Sequence, residues 1–133
     1  MEALNPRGLR NNNPLNIRVG NDWQGERTPK TDKDFEEFET IELGCRAAVI
    51  CIRTYIKKHK WNTPRLIISH WDAETAPRYL DAVLRITHYH PDKPIRFEEK
   101  GKVCFLLWAM AQVECGQVVP LHHFEKGYAM AIR

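Results

Sequence analysis

The chain has 133 residues, 43% of them hydrophobic and 28% charged, with a formal net charge of +3. That length suits one domain with one buried core, and the composition is that of an ordinary globular protein, neither disordered nor membranous. No apolar run approaches the roughly 20 residues that cross a bilayer, and the opening "MEALNPRGLR" lacks the apolar stretch of a signal peptide.

Turn formers crowd residues 1–34, among them Pro6, Gly8, Asn11, Asn12, Asn13, Pro14, Gly20, Gly25 and Pro29. Such density predicts an irregular lobe with short strands rather than helices. "LNIRV" reads as a short strand, "GNDWQG" as a turn carrying an exposed aromatic, and "DFEEFET" as a second strand or hairpin arm. Alternation along that arm sets Glu37 and Glu39 together, away from Phe38. From Leu43 the texture changes. "ELGCRAAVICIRTYIKKHK" has apolar residues at helical spacing and its charges gathered at the far end, a helix of about four turns.

"NTPRLIISHWD" starts with a cap-like Asn62 or Thr63 and then Pro64, a helix-start signal that "TAPRYLDAVLRITH" repeats with Thr75 and Pro77. "PDKPIRF" is a loop, "EKGKVCFLLWAMAQVECG" a long apolar helix, and "LHHFEKGYAMAIR" a short closing helix. The expected fold class is mainly α (α+β): one domain, with residues 1–42 as a small turn-rich β lobe and residues 43–133 as a helical lobe. Cys45, Cys51, Cys104 and Cys115 lack paired CxxC spacing, and three lie in apolar helical patterns, so they read as reduced thiols. The histidine pairs at 88 and 90 and at 122 and 123 lack the i, i+4 spacing of a zincin and have no third ligand, so they read as solvated and no metal is expected.

One residue stands out in the long apolar helix. At 100° per residue Val103, Leu107, Met110 and Glu114 share a narrow stripe, so the carboxylate points the way core side chains point. A buried glutamate destabilises the fold unless it has a partner or a task. Desolvation raises a carboxyl pKa and keeps the acid protonated nearer neutral pH, which is what a glycosidase requires of its general acid. The plainer alternative is an ion pair with Arg46 or Arg53 that ties two helices together.

The helix ending "WAMAQVECG" resembles the catalytic helix of the lysozyme-like superfamily. "RGLRNNNPLNIRVGNDWQGE" followed by "FEEFETIELGCRAAVICIRTYI" is similar to the substrate-binding lobe of bacterial glucosaminidases and of small phage-associated muralytic proteins, and "NTPRLIISHWD" and "RYLDAV" resemble the phage-associated group. In glucosaminidases and lysozymes the glutamate helix precedes the Asn-rich lobe, whereas here it comes last. The resemblance therefore implies a circular permutation of a lysozyme-like domain, with the end of the Glu114 helix folded against residues 12–25.

The resemblance further implies a peptidoglycan glycosidase of muramidase, glucosaminidase or lytic transglycosylase type, with Glu114 protonating the glycosidic oxygen. Glu37 and Glu39 are the candidates for a second carboxylate, and Tyr55 and Tyr79 for a supporting hydroxyl. Asn12, Asn13 and Asn16 offer amide groups to N-acetyl and hydroxyl groups, or simply build the turn before Pro14. Trp23 offers a flat face to a sugar or covers the lobe's core; Arg18 and Glu26 complete the expected substrate-binding set. Peptidoglycan glycan strands are the implied partner of a monomer that takes no cofactor, binds no nucleic acid and does not insert into membranes. Synthesis in a bacterial cytoplasm and delivery to the wall by a phage particle, a holin or a secretion apparatus follow from the same resemblance. Two other readings stay open. One is a catalytically inactive wall-binding or phage structural module; the other is a nucleic-acid binder, suggested by a pI near 8.7 and the "IKKHKWN" run.

Overall fold

In the computed structural model, which describes residues 6–133, the helices are α1 (Arg7–Arg10), α2 (Ile41–Lys57), α3 (Pro64–Trp71), α4 (Ala76–Thr87), α5 (Lys100–Cys115) and α6 (Leu121–Ala131). The first five residues of the expected lobe lie outside the described residues. Local signals place the long elements. The Thr40 hydroxyl accepts from the Leu43 N–H at 3.2 Å to start α2, and Thr63 does the same for Leu66 at the start of α3, where Pro64 needs no N–H partner. Gly116, in the left-handed region at φ 68°, stops α5.

α5 is apolar nearly all round and therefore lies in the middle of the molecule. It packs against α1, α2, α4 and α6, while α2 lies along α6 and α3 against α4. Its Val103, Leu106, Leu107 and Met110 are buried, each worth about 1.5–3 kcal/mol relative to an exposed side chain. The stripe that carries Glu114 thus begins in the core and ends at the edge of it.

The N-terminal lobe is irregular, but it is not a β lobe. Among the described residues the expected strands reduce to two isolated antiparallel bridges, Arg18 with Phe35 and Glu26 with Phe38, and the chain opens instead with the short helix α1. Backbone bonds flank each bridge, Val19 N–H to the Asp34 carbonyl and Glu36 N–H to that of Ile17 at one, Arg27 N–H to the Glu37 carbonyl and Glu39 N–H to that of Gly25 at the other, and side-chain hydrogen bonds hold the rest of the lobe. Asn13, fully buried, donates from Nδ2 to the carbonyls of Ile17 (2.9 Å) and Glu36 (3.0 Å) and accepts from the Ile17 N–H at 2.9 Å. Asn12 takes a left-handed φ of 52° and donates to the Phe38 carbonyl at 3.0 Å; asparagine tolerates that region better than most side chains. The lobe presses on α2 at Gly44, where a Cβ would meet the Asn12 carbonyl oxygen at 1.9 Å.

The expected alternation along residues 35–39 also fails. Glu36, Glu37 and Phe38 are buried consecutively, and Glu39 is exposed. With no ladder to impose a two-residue period, the carboxylates turn inward toward donors: Glu36 to Lys30, and Glu37 to Thr31, Asp32 and Arg27.

A candidate active site around Glu114

The last turn of α5 carries Glu114 to the floor of a cleft of about 660 Å³. Four pieces of chain meet there. The loop after α1 contributes Asn16, Ile17 and Arg18; the segment before α2 contributes Phe35; α2 contributes Cys51 and Tyr55; and the end of α3 with the turn to α4 contributes Trp71, Asp72, Glu74 and Thr75. The lobe is held against the end of α5 by the Cys115 thiol, which donates to the Pro14 carbonyl at 3.2 Å. Sequence positions nearly 100 residues apart are thereby brought into contact.

Two neutral donors hold the carboxylate. Asn16, with φ at 52°, donates from Nδ2 to Oε1 at 3.0 Å, and the Tyr79 hydroxyl donates to Oε2 at 2.9 Å. No arginine takes part. Arg53 donates to the Ala131 carbonyl at 3.0 Å, and the buried Nε of Arg46 has no partner among the described residues, so the alternative of an interhelical ion pair does not describe Glu114. Burial pushes the Glu114 pKa up. The bonds from Asn16 and Tyr79, with a smaller contribution from the Trp71 side chain, favour the anion without overcoming that burial, and the negative charge of Asp72 adds to the upward shift. The partial negative charge at the C-terminal end of a helix acts in the same direction. Burial and the neighbouring Glu114 keep Tyr79 a phenol, well above its ordinary pKa, and hence a donor.

The other expected site residues divide between cleft and scaffold. Arg18 lines the cleft with its guanidinium 4.8 Å above the Phe35 ring. Tyr55 lines it as well, but its hydroxyl donates to the His70 carbonyl at 3.3 Å, and its ring meets Trp61 and Trp71 edge-on. The hydroxyl at the carboxylate is that of Tyr79. Glu37 and Glu39 are not brought to Glu114. Glu37 is enclosed: burial would raise its pKa, but the N–H groups of Asp32 and Thr31, the Thr31 hydroxyl and the charge of Arg27 outweigh burial and hold it below the ordinary value. A carboxylate with so many donors is a structural bracket for the lobe. Glu26 accepts from the Trp23 N–H and pairs with Lys30. Trp23 packs against the core with its Nε1 buried and without a partner among the described residues, so it is neither the exposed aromatic expected from its turn nor part of the cleft. Asn12 and Asn13 build the lobe; of the three asparagines only Asn16 touches Glu114.

Trp71, Asp72, Glu74 and Thr75 were not anticipated in the site. Their signal was present, because "HWDAET" sets an aromatic and two acids between two Pro-started helices, but it marks a helix boundary as readily as a cleft wall. Asp72 is fixed there by the Thr75 hydroxyl, which donates to Oδ2 at 2.8 Å.

No protein-family model matches the chain. A stretch of 72 residues is 46% identical to Protein P5 of Pseudoalteromonas phage PM2, covering 51% of this chain and 45% of that protein. The chain is thus similar, over about half its length, to a bacteriophage protein, and the match spans less than half the length of that relative.

Proposed function

We propose that this protein cleaves the glycan strand of peptidoglycan between amino sugars, with Glu114 as the general acid. The observation that carries the reading is a desolvated carboxyl group on the floor of an open cleft, held by two neutral donors and no cation. Such a group keeps its proton nearer neutral pH than an exposed glutamate does, and it is oriented toward whatever enters the cleft. In the reaction the Glu114 proton passes to the glycosidic oxygen as the bond from that oxygen to the anomeric carbon breaks. The sugar ring develops oxocarbenium character, and a water molecule or the sugar's own hydroxyl adds at the anomeric carbon, giving up its proton to a carboxylate of the cleft, which restores the acid when that carboxylate is Glu114.

The walls suit an uncharged ring carrying amide and hydroxyl groups. Asn16 offers neutral hydrogen bonding, Trp71 and Tyr55 offer aromatic surface, and Arg18 sits on the lobe side. Two further acids line the cleft with Glu114, Asp72 and Glu74; Asp72, whose charge acts on Glu114, is the candidate second carboxylate in place of Glu37 or Glu39. Similarity to a phage protein supports a phage context; in that context the protein would act on the wall after delivery. The test is the appearance of new sugar ends in purified peptidoglycan exposed to the wild-type protein and to Asp72→Asn. New ends from the wild type support the reading. No new ends on any of several wall types, with wall binding retained, would leave a binding module instead.

A further inference from the structure

The histidines at 88 and 90, which the cleft does not use, line a second pocket of about 270 Å³. It lies at the other end of the α3 and α4 pair. Pro64 opens α3 at this pocket while Trp71 closes it at the cleft; Thr75 caps α4 at the cleft while His88 closes it here. The 12 residues of α4 rise about 18 Å, so the two sites are distinct.

The chemistry of the lining is one-sided. Its ionisable groups are His88, Tyr89, His90, Lys93 and Lys102, with no carboxylate among them. The Tyr89 hydroxyl donates to the Lys102 carbonyl at 3.3 Å, and the His90 Nδ1 accepts from the Asp92 N–H at 3.0 Å, which assigns the imidazole hydrogen to Nε2, a donor with no hydrogen bond among the described residues. Lys93 has no carboxylate partner among the described residues. Of the acids next in sequence, Asp92 pairs with Arg65 at 2.8 Å, and Glu99 pairs with the pocket's own Lys102 at 2.9 Å, so Lys93 is the lining lysine that brings an unpaired charge. Lys102 belongs to the first turn of α5 and Pro64 to that of α3, so two positive helix ends stand against the negative end of α4 at His88.

We propose that this pocket binds a phosphate group. Ammonium and imidazole N–H donors arriving from separate segments suit a tetrahedral anion, whereas a planar carboxylate is matched best by the guanidinium fork that is missing here. At about 30 Å³ per water the space equals several water molecules, enough for the anion and a short carbon stem against Pro94 and Ile95. The proposal does not depend on the glycosidase reading.

The experiment is an NMR titration of histidine-ring and backbone amide signals with inorganic phosphate at constant ionic strength, repeated with glycerol phosphate and with acetate. Saturable shifts at His88, His90 and Ile95, none at Asn16 or Trp71, and at least tenfold weaker binding by Lys93→Gln are expected. Lys93 is exposed, so that variant keeps the fold; Lys102→Ala is the second variant. Tighter binding of glycerol phosphate than of inorganic phosphate would mark an ester as the ligand, and the reverse a free phosphate. Shifts that fail to saturate, that chloride reproduces, that acetate matches at equal concentration, or that persist in both variants would overturn the proposal.

Discussion

Replacing Glu114 by Gln should stabilise the protein progressively as pH rises, relative to wild type. The Glu114 pKa is raised above 4.5 by burial, so between the unfolded and folded values the native state binds more protons than the unfolded state. Wild-type stability therefore falls with pH across that window, by at most about 1.4 kcal/mol per pH unit for one proton. Gln has no proton to lose and lacks this slope. It also fits the site, because its oxygen accepts from Asn16 and its amide donates to the Tyr79 oxygen, whose hydrogen then turns to the Met110 carbonyl 3.3 Å away. Urea unfolding of both proteins from pH 3.5 to 8 would give the difference directly. The account expects a difference that is constant in acid, climbs in favour of Gln from about pH 4.5, and levels above the folded pKa. A difference that stays flat, or that moves in favour of Glu as pH rises, would refute it, since either requires a glutamate as comfortable ionised in the fold as in water.

Tyr79→Phe removes a donor that favours the anion, so the Glu114 pKa rises further and the alkaline limb of the rate profile moves to higher pH; a limb that moves down contradicts the assignment. Glu37→Gln should lower stability near neutral pH, and the deficit should shrink in acid as the wild-type carboxylate, whose pKa is held low, takes up its own proton. Muropeptide release per folded molecule should survive that change. Asn13→Ala strips three hydrogen bonds from a buried turn and should cost about 3 kcal/mol or more, lowering Tm by roughly 10 °C in a thermal scan.

The helices after the lobe were legible from local signals such as Thr63 and Pro64, Pro77, Gly116, and an apolar stretch long enough to need burial all round, whereas the one-turn α1 among the turn formers was not. The inward aim of Glu114 was legible for the same reason, from helical periodicity alone. The lobe was not. Its asparagines announce turns, but whether an asparagine bonds its own loop, as Asn13 does, or reaches across the molecule, as Asn16 does, depends on tertiary placement that no local pattern records. Expecting Glu37 beside Glu39 assumed a strand period where no ladder exists, and buried donors decided instead. Asp72 escaped notice because a polar turn between helices is the ordinary place for an acid. Sequence offers Tyr55 and Tyr79 alike as a hydroxyl near the carboxylate, because both sit in apolar helical patterns; the one that bonds Glu114 is Tyr79.

The central claim is that Glu114 donates the proton that breaks the glycan. Soluble fragments released from purified peptidoglycan, identified by mass, should appear with the wild-type protein and be absent with Glu114→Gln of equal helical content. Fragment ends then show whether water or the sugar's own hydroxyl completes the reaction. Equal release by the two proteins would contradict the claim and place the acid elsewhere in the cleft.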